Sequence, residues 1–373
     1  MDNRKKGIDM KFTMQTEDLC AGVLSVIKAL PARSTMSVLE GVLIEATKEG
    51  VHLVCSDLMF QKECTLPATV EEEGRCVLKG KFLADVLRKL PNEPLTAEQE
   101  GMILKIRSGR VRQRLQCIEF DDFPMMHAKG EVVDIPLRPE QLKNMIDRTV
   151  FAVSQDDSRP VLTGTLIEAN NDLLTFVATD SFQFALTSLH MDKPVEEKRT
   201  IVQGRVLSEI SKMAEETEKD VTLSLTQTHL TVEVNDTKLT ARLLDGNYID
   251  YKRIIPKECK TRVLVNVQDL LTMTDRAQLI AKEGNNSVVM HFEGETLTMT
   301  AESYVGRAED AMEVSIVGDP IDIAFNPRYV INILKNVTDE TVYLEFNSPI
   351  SPCVVRPVSG SGYLYLIVPM RVY

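Results

Sequence analysis

Leu39-Glu40-Gly41-Val42-Leu43-Ile44-Glu45-Ala46 and Leu162-Thr163-Gly164-Thr165-Leu166-Ile167-Glu168-Ala169 are two copies of one pattern, 123 residues apart. The same offset carries Val54 to Val177 and Asp57 to Asp180 without a gap. Each copy reads as a strand, a short turn (Lys48-Glu49-Gly50; Asn170-Asn171-Asp172) and a second strand. Self-similarity at such a period means one supersecondary plan built more than once.

Downstream of each copy a helix repeats. Lys81 is followed by Phe82, Leu83, Val86, Leu87 and Leu90; Arg205 by Val206, Leu207, Ile210 and Ala214; Arg328 by Tyr329, Val330, Ile333, Leu334 and Val337. Each set forms one apolar stripe at a period of 3.6. The third helix starts 123 residues after the second, so the plan is built three times. Each repeat also opens with a helical stretch, about 17–30, 140–152 and 268–281. Pro139 suits the first turn of the second, and Thr16 stands where a cap for the first belongs. Short alternating runs such as Leu230-Thr-Val-Glu-Val and Val342-Tyr-Leu-Glu-Phe fill the remainder. The expected fold class is α+β: three repeated domains, each two helices packed on mainly antiparallel sheets. Boundaries near Gly130-Glu131 and Pro256-Lys257 give 10–130, 131–257 and 258–373, with the polar 1–9 a mobile extension.

Composition narrows the function. Of 373 residues, 43 are Lys or Arg and 55 Asp or Glu, a net charge of −12. Taken in bulk, that balance speaks against nucleic acid, whose partners carry a basic footprint. No apolar run reaches membrane-spanning length, and the start has no apolar signal core. Seven cysteines (20, 55, 64, 76, 117, 259 and 353) are odd in number with no C-x-x-C, so reduced thiols are expected, without zinc or disulfides. The five histidines are scattered, and no metal or other cofactor is expected. Gly74-Arg-Cys-Val-Leu-Lys-Gly80-Lys81 resembles a phosphate loop but has five residues between its glycines, with Phe82 in place of Ser or Thr. Asp57 and Asp180, at equivalent positions, read as one turn held twice. No nucleophile–base arrangement presents itself, so no catalytic residue is assigned.

Each repeated helix instead carries a basic pair seven residues apart: Lys81/Arg88, Arg205/Lys212 and Arg328/Lys335. Offsets 0 and 7 lie within about 20° on a helix, opposite the apolar stripe. Local ion pairs on a solvated face are one reading, since Asp85 precedes Arg88 by three and Glu209 precedes Lys212 by three. A shared surface for phosphates is the other. Six helices side by side, spaced about 9 Å, close a hole of roughly 17 Å, too tight for a duplex. Twelve give roughly 35 Å. One chain would not encircle DNA; a dimer would.

Residues 10–373 resemble the bacterial beta sliding clamps, the processivity subunits of DNA polymerase III. The resemblance rests on Met10-Lys-Phe-Thr, Arg159-Pro-Val-Leu-Thr-Gly164, Val177-Ala-Thr-Asp180, Asp245-Gly-Asn-Tyr-Ile-Asp-Tyr-Lys-Arg-Ile-Ile-Pro256 and Val368-Pro-Met-Arg371. It implies a non-catalytic, cytoplasmic, nucleoid-associated protein: half of a head-to-tail homodimeric ring that slides on duplex DNA and tethers the polymerase. It also adds Arg33 to the DNA-contacting candidates Lys81, Arg88, Arg205, Lys212, Arg328 and Lys335.

The resemblance further implies a groove between the second and third domains. It would take short linear peptides of the polymerase III alpha subunit, the clamp loader, other polymerases and repair proteins. Carried over by motif, its lining is Leu162, Thr179, Ser181, Phe182, Phe184, Ile249, Arg253, Ile254, Asn326, Tyr329 and Val354, completed by Leu366, Val368, Pro369, Met370 and Arg371. Where the family commonly has Gly-His-Arg-Leu, this chain has Ser181-Phe182-Gln183-Phe184, a more apolar wall. Charge suggests the dimer contact. Arg107, Arg110, Arg112 and Arg114, with Leu115, lie along one strand, and Glu302, Glu309, Asp310 and Glu313 complement them, with Leu279 and Ile280 as apolar anchors. The competing possibility is a divergent second-copy clamp, a peptide-binding hub for repair or regulation.

Overall fold

A computed structural model of the chain describes residues 9–371. The expected extension therefore lies outside the described residues except at Asp9. That residue is held in place: its N–H donates to the Gln99 carbonyl (3.0 Å), and its carboxylate accepts from the Gly101 N–H (2.7 Å). Val372 and Tyr373 also lie outside.

Six α-helices occur among the described residues: α1 (Thr16–Val26), α2 (Gly80–Leu87), α3 (Pro139–Val150), α4 (Gly204–Ala214), α5 (Val267–Ala281) and α6 (Pro327–Lys335). They are the two helices of each repeat. Pro139 opens α3 as its missing N–H allows. Asn326 caps α6, its side-chain oxygen accepting from the Arg328 N–H at 3.0 Å, and Pro327 takes the first turn. Thr16 does not cap α1. It is the first helical residue, and its hydroxyl donates instead to the Glu93 carbonyl (2.6 Å).

The chain divides into two compact units, one reaching from the start to Pro139 plus Lys212–Leu243, the other Glu140–Ser211 plus Leu244 to the end. The first holds a five-stranded sheet, ordered Thr69–Glu72, Met10–Gln15, Pro94–Glu100, Ile103–Ser108 and Val111–Gln116. It also holds an eight-stranded sheet that joins two repeats, where Phe60–Leu66 pairs antiparallel with Thr237–Arg242, Phe60 opposite Ala241 and Cys64 opposite Thr237.

The second unit builds the same seam again. Gln183–Gln203 pairs with Tyr363–Ile367, Gln183 opposite Ile367 and Thr187 opposite Tyr363, inside a seven-stranded sheet. Positions 60 and 183 differ by the repeat offset, and one further offset reaches Gly306. The strand that begins there, Gly306–Glu313, ends its four-stranded sheet instead of joining another. In the first unit Val111–Gln116, in the sheet position that Thr237–Arg242 and Tyr363–Ile367 occupy in theirs, likewise ends its sheet.

Candidate functional site

Asp180 and its repeat counterpart Asp57 do hold one turn twice. Asp57 Oδ1 accepts from the N–H groups of Met59 (3.0 Å) and Phe60 (2.8 Å), and Asp180 Oδ1 from those of Phe182 (2.8 Å) and Gln183 (2.9 Å). Leu58 and Ser181, one offset apart, both take positive φ (73° and 80°) to close it. In the second repeat this turn projects Phe182, 55% exposed, from the sheet. Its ring stacks on Tyr329 of α6, centroids 5.6 Å apart and planes 12° from parallel.

A cavity of 400 Å³ opens beside that pair, walled by Phe151, Val153, Arg159, Leu162, Arg328 and Asn332 among others. Arg159 donates to the Ser181 hydroxyl (3.2 Å), which braces the turn. Beneath lies one buried cluster that includes Leu162, Phe184, Tyr251, Val354 and Leu366, with Phe184 stacked on Tyr251 at 6.1 Å. Burial and the Asp180 carboxylate raise the Tyr329 phenol above its usual value, so it stays a neutral donor at physiological pH. The C-terminal segment is tied on both sides: the Val368 N–H donates to the Phe182 carbonyl (2.9 Å) and the Met370 N–H to the Ala324 carbonyl (2.7 Å).

The residues anticipated for a groove thus sort into layers. Phe182, Tyr329 and Leu162 line the cavity, and Thr179, Phe184, Val354 and Leu366 are buried. Ile249, Ile254 and Val368 are exposed apolar groups, Pro369 and Met370 are half-buried, and Ser181 and Arg371 are exposed. Two members have other work: Asn326 caps α6, and Arg253 pairs with Asp250 at 2.7 Å. Phe151, Val153 and Asn332 were not anticipated. Asn332 is one helical turn after Arg328 and shares its face, a spacing visible in the sequence; Phe151, at the end of α3, carries no such signal.

All six paired cations are exposed, five of them within α2, α4 and α6 and Arg88 directly after the end of α2. Arg88 makes the anticipated local ion pair with Asp85 at 3.3 Å, and Arg205 donates to Gln203 at 2.9 Å. Arg328 also faces the 400 Å³ cavity, and Arg33 shares a smaller cavity with Lys81. Phe82 departs from the α2 stripe and is 56% exposed.

Along the strand Val111–Gln116, Arg112 and Arg114 are exposed and stand opposite Arg107 and Lys105, and Arg110 occupies the exposed turn between. Leu115 instead turns inward and is buried in its own domain. On the other terminal strand Glu309 pairs with Arg307 (2.7 Å), and Asp310 takes Arg276 of α5. Glu302 and Glu313 are exposed. Leu279 is 68% exposed, whereas Ile280 packs on its own core.

Among the described residues no cluster of His, Cys, Asp or Glu suits a metal ion. Family models for the N-terminal, central and C-terminal domains of the DNA polymerase III beta subunit match residues 10–127, 136–250 and 252–371. The chain belongs to the beta sliding clamp family. It is 32% identical to the beta sliding clamp of Bacillus subtilis over 98% of this chain and all of that one, and 29% identical to those of Staphylococcus aureus over the same shares. Its fold matches the crystal structure of the Thermotoga maritima DNA polymerase III beta subunit with a TM-score of 0.92 at 28% identity, covering 98% of this chain and all of the other. The Bacillus subtilis clamp structure matches equally, at 31% identity. The three clamp domains and the non-catalytic, processivity-conferring character of the family follow for this chain.

Proposed function

We propose that two copies of this sliding clamp close head to tail into a ring around duplex DNA. In that ring it tethers DNA polymerase III and presents the Phe182–Tyr329 groove to partner peptides. One observation carries the ring. The fold joins neighbouring repeats by one kind of strand seam, makes that seam twice within the chain, and leaves one strand of each kind at a sheet end. Val111–Gln116 is basic and Gly306–Glu313 acidic, so a second copy supplies what each lacks, and a heterologous contact closes into a ring of two chains when its rotation is a half-turn. Three domains per chain, with boundaries near 130 and 257, then make six, and twelve helices face the hole.

Phosphate contacts there come from Arg33, Lys81, Arg88, Arg205, Lys212, Arg328 and Lys335. They are exposed, screened and blind to sequence, which lets a ring slide. The chain works in the cytoplasm, at the nucleoid; no described helix is long and apolar enough to cross a membrane. The groove's apolar floor, with Arg159 and Arg328 beside Asp156 and Asp180 in its wall, fits short peptides from the polymerase alpha subunit, the clamp loader, other polymerases and repair proteins. The deciding experiment loads the protein on nicked circular DNA with a clamp loader and then linearises the circle. Retention on the circle and release at the new ends is the expected result; equal retention on both forms would replace encirclement by ordinary adhesion.

A further inference from the structure

Phe82 is the residue that the α2 stripe does not explain. Helical spacing sets it with core residues, yet Leu83, Ala84 and Leu87 are buried while its own ring is 56% exposed. The ring lines a cavity of 320 Å³ in the first unit, over an apolar floor of Leu30 and Pro31. Arg33, Lys79 and Lys81 stand around it, with Glu40 the one carboxylate in the lining. Among the described residues no salt bridge engages any of these three cations.

The other repeats treat the same helix position differently. Val206 is buried, and Tyr329 is covered by the Phe182 ring. Phe82 has no ring stacked on it among the described residues, so an exposed aromatic side chain shares one cavity with three cations in a chain of net charge −12. Aromatic faces beside cationic groups bind single-stranded nucleic acid: the base stacks, and the backbone meets the charges. The cavity stands at the small end of ligand sites and has room for one base. In a duplex both faces of a base are already covered by its neighbours, so only an unpaired base can use this ring. An acidic peptide would satisfy the charges, but a flat open ring adds nothing specific for it.

We propose that this cavity binds one unpaired nucleotide of single-stranded DNA, its base stacked on Phe82 and its flanking phosphates on Arg33, Lys79 and Lys81. The proposal rests on the ring reading, which already gives Arg33 and Lys81 phosphate contacts, and adds to them a stacked base and Lys79. A clamp with this site slides freely on duplex and pauses where single strand begins.

The chain has no tryptophan, so Phe82→Trp places a single indole in the cavity of the otherwise intact, full-length protein. Oligothymidylate of about twelve nucleotides should quench its emission saturably. An abasic strand of equal length and a blunt duplex should quench several-fold less. With labelled oligothymidylate, Phe82→Ala should bind roughly tenfold more weakly than the parent by anisotropy, Phe82→Tyr should match the parent, and Lys79→Glu with Lys81→Glu should weaken binding and flatten its salt dependence. Equal quenching by the abasic strand, no quenching by any strand, or unchanged affinity in Phe82→Ala overturns the proposal. Emission that responds to an acidic Leu/Phe peptide and not to DNA also overturns it, in favour of a protein partner. Short linear strands do not test encirclement, so a protein retained on circles that shows no quenching loses this proposal alone.

Discussion

Phe182 stacks on Tyr329 and is still more than half exposed where it lines the groove cavity. A partner peptide that enters there can bury the exposed part of the ring, and buried aromatic contacts dominate small interfaces. Phe182→Ala should therefore weaken a polymerase-derived peptide roughly tenfold in titration calorimetry; unchanged or tighter binding would mean that the ring covers the cavity and does not contribute to it. A second residue couples the fold to pH. His52 lies between Glu63 (3.4 Å) and Glu45 (3.8 Å), and Glu63 also faces Lys238 at 4.0 Å. The hydrogen bond to Glu63, then the two carboxylate charges, raises the imidazole above 6.5 against the opposing effect of burial. A folded-state value raised above the unfolded one means that the stabilisation is complete below pH 6.5. It is lost as pH rises through the folded value. His52→Gln should thus cost at most about 1 kcal/mol at pH 6 and almost nothing at pH 9. Denaturant melts at the two pH values check the sign, and a larger loss at pH 9 would contradict it.

At the scale of elements, the repeat was legible because 123 residues separate matching strands and because the apolar stripes of α2, α4 and α6 recur in phase. The groove could be read only from motif resemblance. Its layers were not readable, since Thr179 and Phe184 go under while Phe182 comes out through a turn with a positive φ at Ser181. Alternation along a basic strand showed charge but not direction, so Leu115 looked available when the pleat sends it inward. Phe82 misled for the related reason that a helix stripe has edges, and an edge residue is covered only if something packs over it. The terminal strands make a prediction of their own. In the proposed head-to-tail contact, Arg110→Glu with Arg112→Glu puts like charge against the acidic strand that carries Glu309 and Glu313, and opposed like charges destabilise paired strands. Sedimentation velocity should show monomers for this pair of exposed changes, with a melting temperature near the parent's; an intact dimer would remove this strand from the contact.

For the whole molecule, a net charge of −12 coexists with three exposed basic pairs, and at Arg88 the two signs meet on one helix face through Asp85. An excess of negative charge disfavours adsorption to DNA, and in the proposed ring the cations of the three repeated helices are the groups that meet phosphates. Holding and binding then respond differently to salt. Direct phosphate contacts weaken steeply as counterions are added, and each contact contributes to the slope. A closed ring stays on a closed circle however weak those contacts become, so its release is set by opening of the dimer. In the proposed ring Arg107, Arg110 and Arg112 of one copy meet Glu302, Glu309 and Glu313 of the other, so screening across roughly 8 Å or less eventually loosens that seam as well. After loading on nicked circles, retention should stay nearly flat from low salt to a few hundred millimolar and then fall together with the dimer, while binding to linear duplex should vanish at the low end of that range. Lys81→Glu with Lys335→Glu should leave retention on circles within about twofold of the parent and reduce loading instead. Retention on circles that falls in parallel with binding to linear duplex would mean that the protein is held by its charges and not by its topology.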